Sequence, residues 1–260
     1  MVMRLVRFIN RFFKYLIVLL FISKNDVLLV SFPKSGNTWV RFYFFNLIIQ
    51  KYSLKKEISF FNLNFYLPEL GNSKLNKKWN YTKIPRVVKT HIKKSFFIPN
   101  FKAILLIRHP LDVMVSYYNF EKNKTNSRFK GSFSDFIRNN KYGLEAWCKH
   151  YLSWKDKSVM LIKYENLKSD ENKQFMRINN YFKIEIEKNK FKKAVEQSSA
   201  EFISKIEIKE KKLQTFKNVN KNFQFVRSGE INQYLSYFNN NDMQFAKNIF
   251  EKYKIHEYEI

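Results

Sequence analysis

The fold is decided by the stretch Val27-Leu28-Leu29-Val30-Ser31-Phe32 and by the turn after it, Pro33-Lys34-Ser35-Gly36-Asn37. A continuous apolar run of this length is typical of a strand that is buried on both faces of a parallel sheet. The residues from Thr38 to Gln50 then predict a helix that Asn37 or Thr38 caps. Strand, turn and helix in this order leave backbone N–H groups unpaired at the positive end of the helix dipole. The segment therefore predicts a site for a phosphate-type anion.

The turn also carries side chains that suit an anion. Ser35, Asn37 and Thr38 offer hydrogen-bond donors, and Lys34 offers a positive charge. The order differs from the Walker A pattern, in which the lysine follows the second glycine, because Lys34 precedes Gly36. A structural turn with a solvated lysine is the alternative interpretation of the same residues.

The rest of the chain alternates between strand and helix patterns. Strands are predicted at Arg86 to Thr90, Ala103 to Arg108 and Val159 to Tyr164, and a helix is predicted from Leu111. Residues 51–80 carry aromatic islands without clear periodicity, which predicts a mobile region with short helices. Because the sequence holds no internal repeat and no Pro/Gly-rich linker, residues 25–260 are predicted to form one α/β domain.

Composition excludes several classes of protein and site. The 260 residues are 45% hydrophobic, which is enough apolar material for the core of one medium domain. Cys148 is the single cysteine, so no internal disulfide can form and a reduced, cytoplasmic setting is expected. No metal site is predicted, because zinc-ligand spacing is missing from the four histidines, His91, His109, His150 and His256.

The charge is strongly positive. Forty-eight Lys and Arg against 22 Asp and Glu give a formal net charge of +26. The lysines are spread along the whole chain beside many Asn, Phe, Ile and Tyr residues, which indicates a coding bias instead of a designed patch. A nucleic-acid partner is therefore disfavoured, although a positive field would help an anionic substrate to arrive.

Residues 1–24 differ in pattern from the rest of the chain. Arg4, Arg7, Arg11 and Lys14 fall on one stripe of a helix, opposite an apolar stripe. The apolar run Tyr15 to Ile22 would extend about 12 Å as helix, well short of the roughly 30 Å hydrocarbon layer of a membrane. The pattern predicts a basic amphipathic helix at a membrane surface. A helix packed on the domain, and a short anchor or export signal, are the alternatives.

Five motifs together resemble the sulfotransferases that use 3′-phosphoadenosine 5′-phosphosulfate. Ser31 to Arg41 resembles the family's 5′-phosphosulfate loop, and Ile107 to Tyr118 resembles its 3′-phosphate motif. Lys89-Thr90-His91 is similar to the segment that carries the catalytic histidine. Lys163 to Leu167 resembles the strand end whose tyrosine touches adenine, and Phe225 to Gly229 resembles the C-terminal loop that clamps the 3′-phosphate. The five motifs also occur in the family's order.

The resemblance implies a fold, an activity and a site. The fold would be a three-layer α/β domain with a short, mostly parallel sheet. The activity would be in-line, metal-independent transfer of a sulfuryl group from 3′-phosphoadenosine 5′-phosphosulfate to a hydroxyl or amine. The implied catalytic residues are Lys34 at the leaving oxygen, Lys89 at the sulfuryl oxygens, and His91 as a general base with a pKa near neutrality. The implied nucleotide-binding residues are Lys34, Ser35, Gly36, Asn37, Thr38, Trp39, Arg108, Ser116, Tyr164, Arg227, Ser228 and Gly229.

The chain departs from the family's pattern in two places. His109 stands where relatives often have Asn or Asp, and Val226-Arg227-Ser228 replaces a more basic triplet, which weakens the expected 3′-phosphate clamp. For Trp39 and Tyr164 the alternative interpretation is a core aromatic, and without the resemblance His91 would be interpreted as a structural histidine.

Two alternative functions stay open. One is a nucleotide phosphotransferase that uses the same loop, and the other is a non-catalytic, membrane-associated nucleotide-binding protein. For the preferred function the acceptor is expected to be a small molecule, a lipid or a sugar. Peripheral membrane contact through residues 1–24 would accompany a cytoplasmic location.

Overall fold

A computed structural model describes residues 21–70, 75, 78–95, 100–127, 129–155, 159–212 and 229–260. Four strands in this part of the chain form one sheet in the order β2-β1-β3-β4, and every neighbouring pair is parallel. The strands are β1 (Val27–Ser31), β2 (Val87–Thr90), β3 (Lys102–Ile107) and β4 (Val159–Lys163). Each of them lies within one residue of its predicted position, and the α/β class is confirmed.

The register brings the carboxyl ends of the strands to one edge of the sheet. Val30 of β1 pairs with Thr90 of β2 and with Leu105 of β3, and Ile107 pairs with Lys163 of β4. The segments that leave this edge are the turn 32–36, His91, Arg108 and Tyr164, which are the positions that the motifs singled out. Open α/β sheets bind their ligands at this edge.

Helices cover both faces of the sheet. Among the described residues they are α1 (Asn37–Lys51), α2 (Phe60–Tyr66), α3 (Pro110–Asn123), α4 (Phe133–Arg138), α5 (Leu144–Trp154), α6 (Tyr164–Ser169), α7 (Glu171–Tyr181), α8 (Lys188–Glu196), α9 (Ala200–Lys212) and α10 (Asn240–Tyr253), with a 3-10 turn at Gln233–Ser236. The two helices predicted at residue 38 and at residue 111 begin one residue earlier than expected.

The core has two halves, one on each face of the sheet. Leu29 faces a cluster with side chains of α1 and α8, whereas Leu28 and Val30 face a second cluster with side chains of α3, α5 and α10. This alternation places β1 between two helical layers, which confirms the three-layer architecture. Helix α1 is buried almost all round, because α2, α8 and α9 cover the sides that the sheet does not reach.

The described chain begins beside the amino ends of the strands. The Arg86 guanidinium donates to both carboxylate oxygens of Asp26 and to the carbonyl oxygen of Phe21, which fixes this entry segment to the start of β2. Residues 1–20 of the predicted amphipathic helix lie outside the described residues, and its last part, 21–24, is not helical and leads into a turn at residues 23–26. The turn forms because the Asp26 N–H bonds the Ser23 carbonyl oxygen. No helix in the described ranges is long and apolar enough to cross a membrane.

Candidate nucleotide and transfer site

The turn between β1 and α1 has the backbone of an anion-binding loop. Lys34 and Gly36 both adopt left-handed conformations, with φ values of 70° and 98°. Gly36 is required because a Cβ atom there would lie 2.6 Å from Cδ2 of Tyr164. No side chain in the described part of the chain caps the start of α1, so no side-chain acceptor there satisfies its first N–H groups.

Buried polar atoms around this turn are left without partners. The Ser35 side chain is fully buried, and its Oγ atom has no hydrogen-bond partner among the described residues. The Nε1 atom of Trp39, in the first turn of α1, is also unpaired within those ranges. Buried polar groups are normally satisfied, so these atoms indicate that a polar ligand completes the site.

Lys34 lies beside helix α3. Its Nζ atom is 4.8 Å from the centre of the Phe120 ring, a cation–π geometry that holds the ammonium over an aromatic face. Its charge also acts on His91 and contributes to lowering the pKa of that imidazole. The structure therefore brings Lys34 and His91 to the same region, in agreement with the motifs.

His91 lies just after β2 and is fixed by β1 and α1. Its Nδ1 atom lies 2.6 Å from the Ser31 carbonyl oxygen, and its Nε2 atom lies 3.4 Å from Nδ2 of Asn37. Asn37 also donates to the Ser31 hydroxyl at 3.0 Å. Burial and the charges of Lys89, Arg41 and Lys34 lower the pKa of His91 to about 3. This differs from the near-neutral pKa expected from the sequence, because the imidazole is desolvated among cations.

Lys89, in β2, forms an ion pair that the sequence did not indicate. Its Nζ atom lies 3.1 Å from Oε2 of Glu69. The two residues also form an isolated parallel bridge, in which the Lys89 N–H bonds the Pro68 carbonyl oxygen and the Leu70 N–H bonds that of Lys89. The pairing joins residues far apart in sequence, so no local pattern could have found it.

Arg108 and Tyr164 form the second half of the site. The Arg108 guanidinium lies 4.4 Å from the centre of the Tyr164 ring and donates through Nη2 to the Glu230 carbonyl oxygen at 2.8 Å. The Arg108 side chain is buried, yet its Nε atom has no partner among the described residues. Tyr164 donates to the Gly229 carbonyl oxygen at 2.9 Å and packs edge-on against Trp39.

These contacts join the predicted nucleotide residues into one surface. Gly36, Trp39, Arg108 and Gly229 all meet Tyr164. Thr38 lies in the first turn of α1 and Ser116 in the second turn of α3, and both are half-buried. Arg227 and Ser228 lie outside the described residues.

Two carboxylates that the sequence did not point to position this surface. Asp112, in the first turn of α3, accepts hydrogen bonds from the N–H groups of Asn232 and Tyr234 at 2.8 and 3.1 Å. Glu165 accepts from the His109 N–H and from the Tyr258 hydroxyl.

The arrangement combines two chemical capacities. The uncapped start of α1, with Ser35 and Arg108 beside it, suits a phosphate- or sulfate-type anion. His91 adds a neutral imidazole next to that anion. Its Nδ1 atom must carry the proton, because a carbonyl oxygen only accepts hydrogen bonds, so the basic lone pair is on Nε2.

Comparison with known sequences identifies relatives. A family model described as the sulfotransferase domain matches residues 24–258. Sulfotransferase 1E1 of Rattus norvegicus is 32% identical over 173 residues, which cover 59% of this chain and 57% of the relative. Sulfotransferase 4A1 of Homo sapiens is 28% identical over 163 residues, which cover 57% of this chain and 56% of the relative. The aligned part thus spans a little over half the length of these curated relatives.

Comparison with solved structures shows the same fold. A retinol dehydratase in complex with androsterone and the inactive cofactor PAP superimposes with a TM-score of 0.70 at 16% identity, over 92% of this chain and 83% of the other. Mouse sulfotransferase SULT7A1 complexed with PAP gives a TM-score of 0.64 at 20% identity, over 91% and 87%.

The family match begins just before β1 and ends at residue 258 of the C-terminal segment. This segment contacts Arg108 through Glu230 and Glu165 through Tyr258. The match includes all five motifs and all four strands, and the structural neighbours share this architecture. The chain belongs to the sulfotransferase domain family.

Proposed function

We propose that this protein transfers a sulfuryl group from 3′-phosphoadenosine 5′-phosphosulfate to a hydroxyl or amine of an acceptor. One observation carries the proposal: the fully buried Ser35 hydroxyl beside the uncapped start of α1 and the buried Nε atom of Arg108 both lack partners among the described residues, and Arg108 and Gly36 contact the same Tyr164 ring. A ligand with anionic groups at both positions would satisfy both atoms. The residues present therefore fit the nucleotide.

The two ends of the nucleotide would meet different residues. The turn 33–38 would hold the 5′-phosphosulfate, through its N–H groups and the Ser35 hydroxyl. Arg108 and Ser116 would hold the 3′-phosphate, and Trp39 and Tyr164 would contact the adenine. A role in holding the 3′-phosphate is also proposed for Arg227, Ser228 and Gly229, from the sequence motif. The contact between Gly229 and Tyr164 supports this placement for Gly229.

The bound nucleotide would supply the sulfuryl group. The side chains of the site would stabilise the developing negative charge and accept the acceptor's proton. The Lys34 ammonium would stabilise the charge that develops on the leaving phosphate oxygen. His91 would accept the acceptor's proton on Nε2 while its Nδ1–H keeps donating to the Ser31 carbonyl oxygen. The Asn37 amide donates to the same Nε2 lone pair at 3.4 Å, so the acceptor hydroxyl would displace this hydrogen bond.

We propose an apolar small molecule as the acceptor. Aromatic side chains surround the approach to Lys34 and His91: Phe32 packs edge-on against Tyr117 and His150, and Phe120 lies under Lys34. The retinol dehydratase of similar fold is known with androsterone and with retinol, which are molecules of this kind. A lipid or a sugar with an apolar face would fit the same surface.

We further propose that residues 25–260 form the catalytic domain and that residues 1–24 contact a membrane surface from the cytoplasmic side. The entry segment lies at the amino ends of the strands, whereas the site lies at their carboxyl ends.

A transfer assay tests the proposed activity. The purified protein, 3′-phosphoadenosine 5′-phosphosulfate labelled with radioactive sulfur, and a panel of phenols, steroid alcohols, sugars and amines should yield a labelled product. Lys34→Gly, which keeps the loop conformation but removes the charge, serves as the control. Transfer of phosphate from ATP to the panel would support the phosphotransferase instead, and nucleotide binding without any transfer would support the non-catalytic alternative.

A further inference from the structure

A small cluster of buried charged side chains, Lys89, Glu69 and Arg41, lies at β2, the edge strand that His91 follows. The Lys89 and Glu69 side chains are only 14% and 22% exposed, and their charged atoms are 3.1 Å apart. Arg41 of α1 is buried beside them and donates to the Asn64 side chain and to the Leu67 carbonyl oxygen, both at 2.6 Å. Residues 64–69 are thereby fixed to both α1 and β2.

Without Glu69, this cluster would hold two positive side chains, Arg41 and Lys89, and no negative one. The charged and titratable groups that face Lys89 come from α1, from the segment before β2 and from the loop after it: Arg41, Glu69 and His91. Burial lowers the pKa of Lys89, and the positive charge of Arg41 lowers it further. The Glu69 carboxylate opposes both effects, through its charge and through a hydrogen bond.

We propose that Glu69 is a positioning residue for the transfer reaction, which keeps the Lys89 ammonium charged and fixed beside His91. The inference rests on the proposed function, because it assumes that Lys89 stabilises the sulfuryl oxygens. An ammonium has three N–H donors, and among the described residues Glu69 takes one, so two can serve a ligand. A neutral Lys89 amine would not stabilise negative charge.

The bridge between Glu69 and Lys89 explains why this carboxylate can act reliably. Two backbone hydrogen bonds of 2.8 Å join residues 68 and 70 to Lys89 and hold the two Cα atoms as a strand pair. The Glu69 side chain therefore reaches Lys89 without ordering a loop. Its role is distinct from that of a surface ion pair, in which both side chains are solvated and the interaction is weak.

The first test measures the protonation of Lys89 without any catalysis. Competitive labelling of lysine amines with acetic anhydride over a range of pH, read by peptide mass spectrometry, gives the pKa of Lys89 in the full-length protein. In Glu69→Gln we expect this pKa to fall by about 1 unit or more, since an opposite charge at this distance typically contributes 1–3 units. In Glu57→Gln, which removes an exposed carboxylate paired with Lys209, it should not change. Equal Lys89 pKa values in the wild type and Glu69→Gln would overturn the proposal.

The second test links that protonation to the reaction. In Glu69→Gln, the high-pH decline of turnover should move to lower pH by the same amount as the Lys89 pKa. In the background of Lys89→Arg, whose guanidinium stays charged, the Glu69→Gln change should not move the decline. A uniform loss of activity at every pH, or a shift that persists with arginine, would mean that Glu69 is only structural. If the wild type transfers no sulfuryl group, the proposed function fails, while the labelling result on the pair still stands.

Discussion

The Nδ1 atom of His91 lies 2.6 Å from the carbonyl oxygen of Ser31, the last residue of β1. This contact fixes the tautomer, because the carbonyl oxygen can only accept the Nδ1 proton. The ring nitrogen on the other side, Nε2, therefore carries the lone pair, to which the Asn37 amide donates at 3.4 Å. Strand β1 thus orients the His91 imidazole, which the proposed reaction needs.

His91→Gln should lower turnover by about 100-fold or more, because a positioned general base typically contributes a factor of 10²–10⁴. Glutamine can still donate to the Ser31 carbonyl oxygen, so the loop should keep its conformation. Binding of adenosine 3′,5′-bisphosphate, measured by calorimetry, should be nearly unchanged. Loss of binding together with turnover would indicate a structural histidine.

The pH dependence of turnover provides a separate test of His91. Burial among cations lowers its pKa to about 3, so the imidazole stays neutral, with its Nε2 lone pair unprotonated, at every pH well above that value. As the pH falls from 7 to 5, turnover should not decline through protonation of His91. Rates would be measured at a temperature where circular dichroism shows the protein to be folded. A decline with a midpoint near 6.5, the ordinary pKa of histidine, would contradict the assigned burial.

Lys34→Ala should lower turnover by about 100-fold or more while leaving the fold intact, because the charge acts mainly on the leaving oxygen. Since Lys34 has a φ of 70°, alanine adds backbone strain that glycine does not. Lys34→Gly should therefore be as inactive as Lys34→Ala but more stable, and Lys34→Arg should retain more activity than either. Full activity in the glycine variant would remove Lys34 from the reaction.

The sequence predicted the elements of the fold better than it predicted the site's electrostatics. The strand before the turn was evident because Leu28, Leu29 and Val30 are apolar on both sides of the chain. The low pKa of His91 was not, because it depends on burial and on the charges of Arg41 and Lys34, which lie on other segments of the chain. The Glu69–Lys89 pair and the Asp112 contacts to residues 232 and 234 were missed for the same reason.

Stability should fall in acid because buried histidines resist protonation. Burial, with the charges of His91 and Lys93, lowers the pKa of His150 to about 3, whereas the unfolded chain takes up this proton near the ordinary histidine pKa of 6.5. The unfolded state therefore binds more protons between about pH 6.5 and 3, and the free energy of unfolding decreases as the pH falls through that window.

His150→Gln should reduce the steepness of that decrease by up to about 1.4 kcal/mol per pH unit, the value of one proton. Urea unfolding at pH 7, 6 and 5 measures it. His256→Gln, at an exposed position, is the matched control and should keep the wild-type slope. An unchanged slope in His150→Gln would show that this ring takes up its proton in the folded state.

The amino-terminal segment should bind anionic membranes through its basic stripe. Deletion of residues 1–20 preserves the Phe21 carbonyl oxygen that Arg86 uses, so the domain should keep its fold. Co-sedimentation of the full chain with vesicles containing phosphatidylserine should weaken as salt rises and be lost on deletion. Sulfuryl transfer to a small soluble acceptor should be unaffected by the deletion. Vesicle binding that survives the deletion would mean that lysines elsewhere in the chain contact the membrane.

The edge of the sheet between the turn 33–38 and Arg108 should bind a nucleotide that carries both a 5′-phosphate and a 3′-phosphate. The proposed function depends on this binding above all. Calorimetry with adenosine 3′,5′-bisphosphate and adenosine 5′-monophosphate tests it without knowledge of the acceptor. The bisphosphate should bind about 10-fold more tightly or better, since a hydrogen bond to a charged group contributes about 1.5–3 kcal/mol. Arg108→Gln should remove most of that preference. Equal affinities of the wild type for the two nucleotides would contradict the assignment of this site.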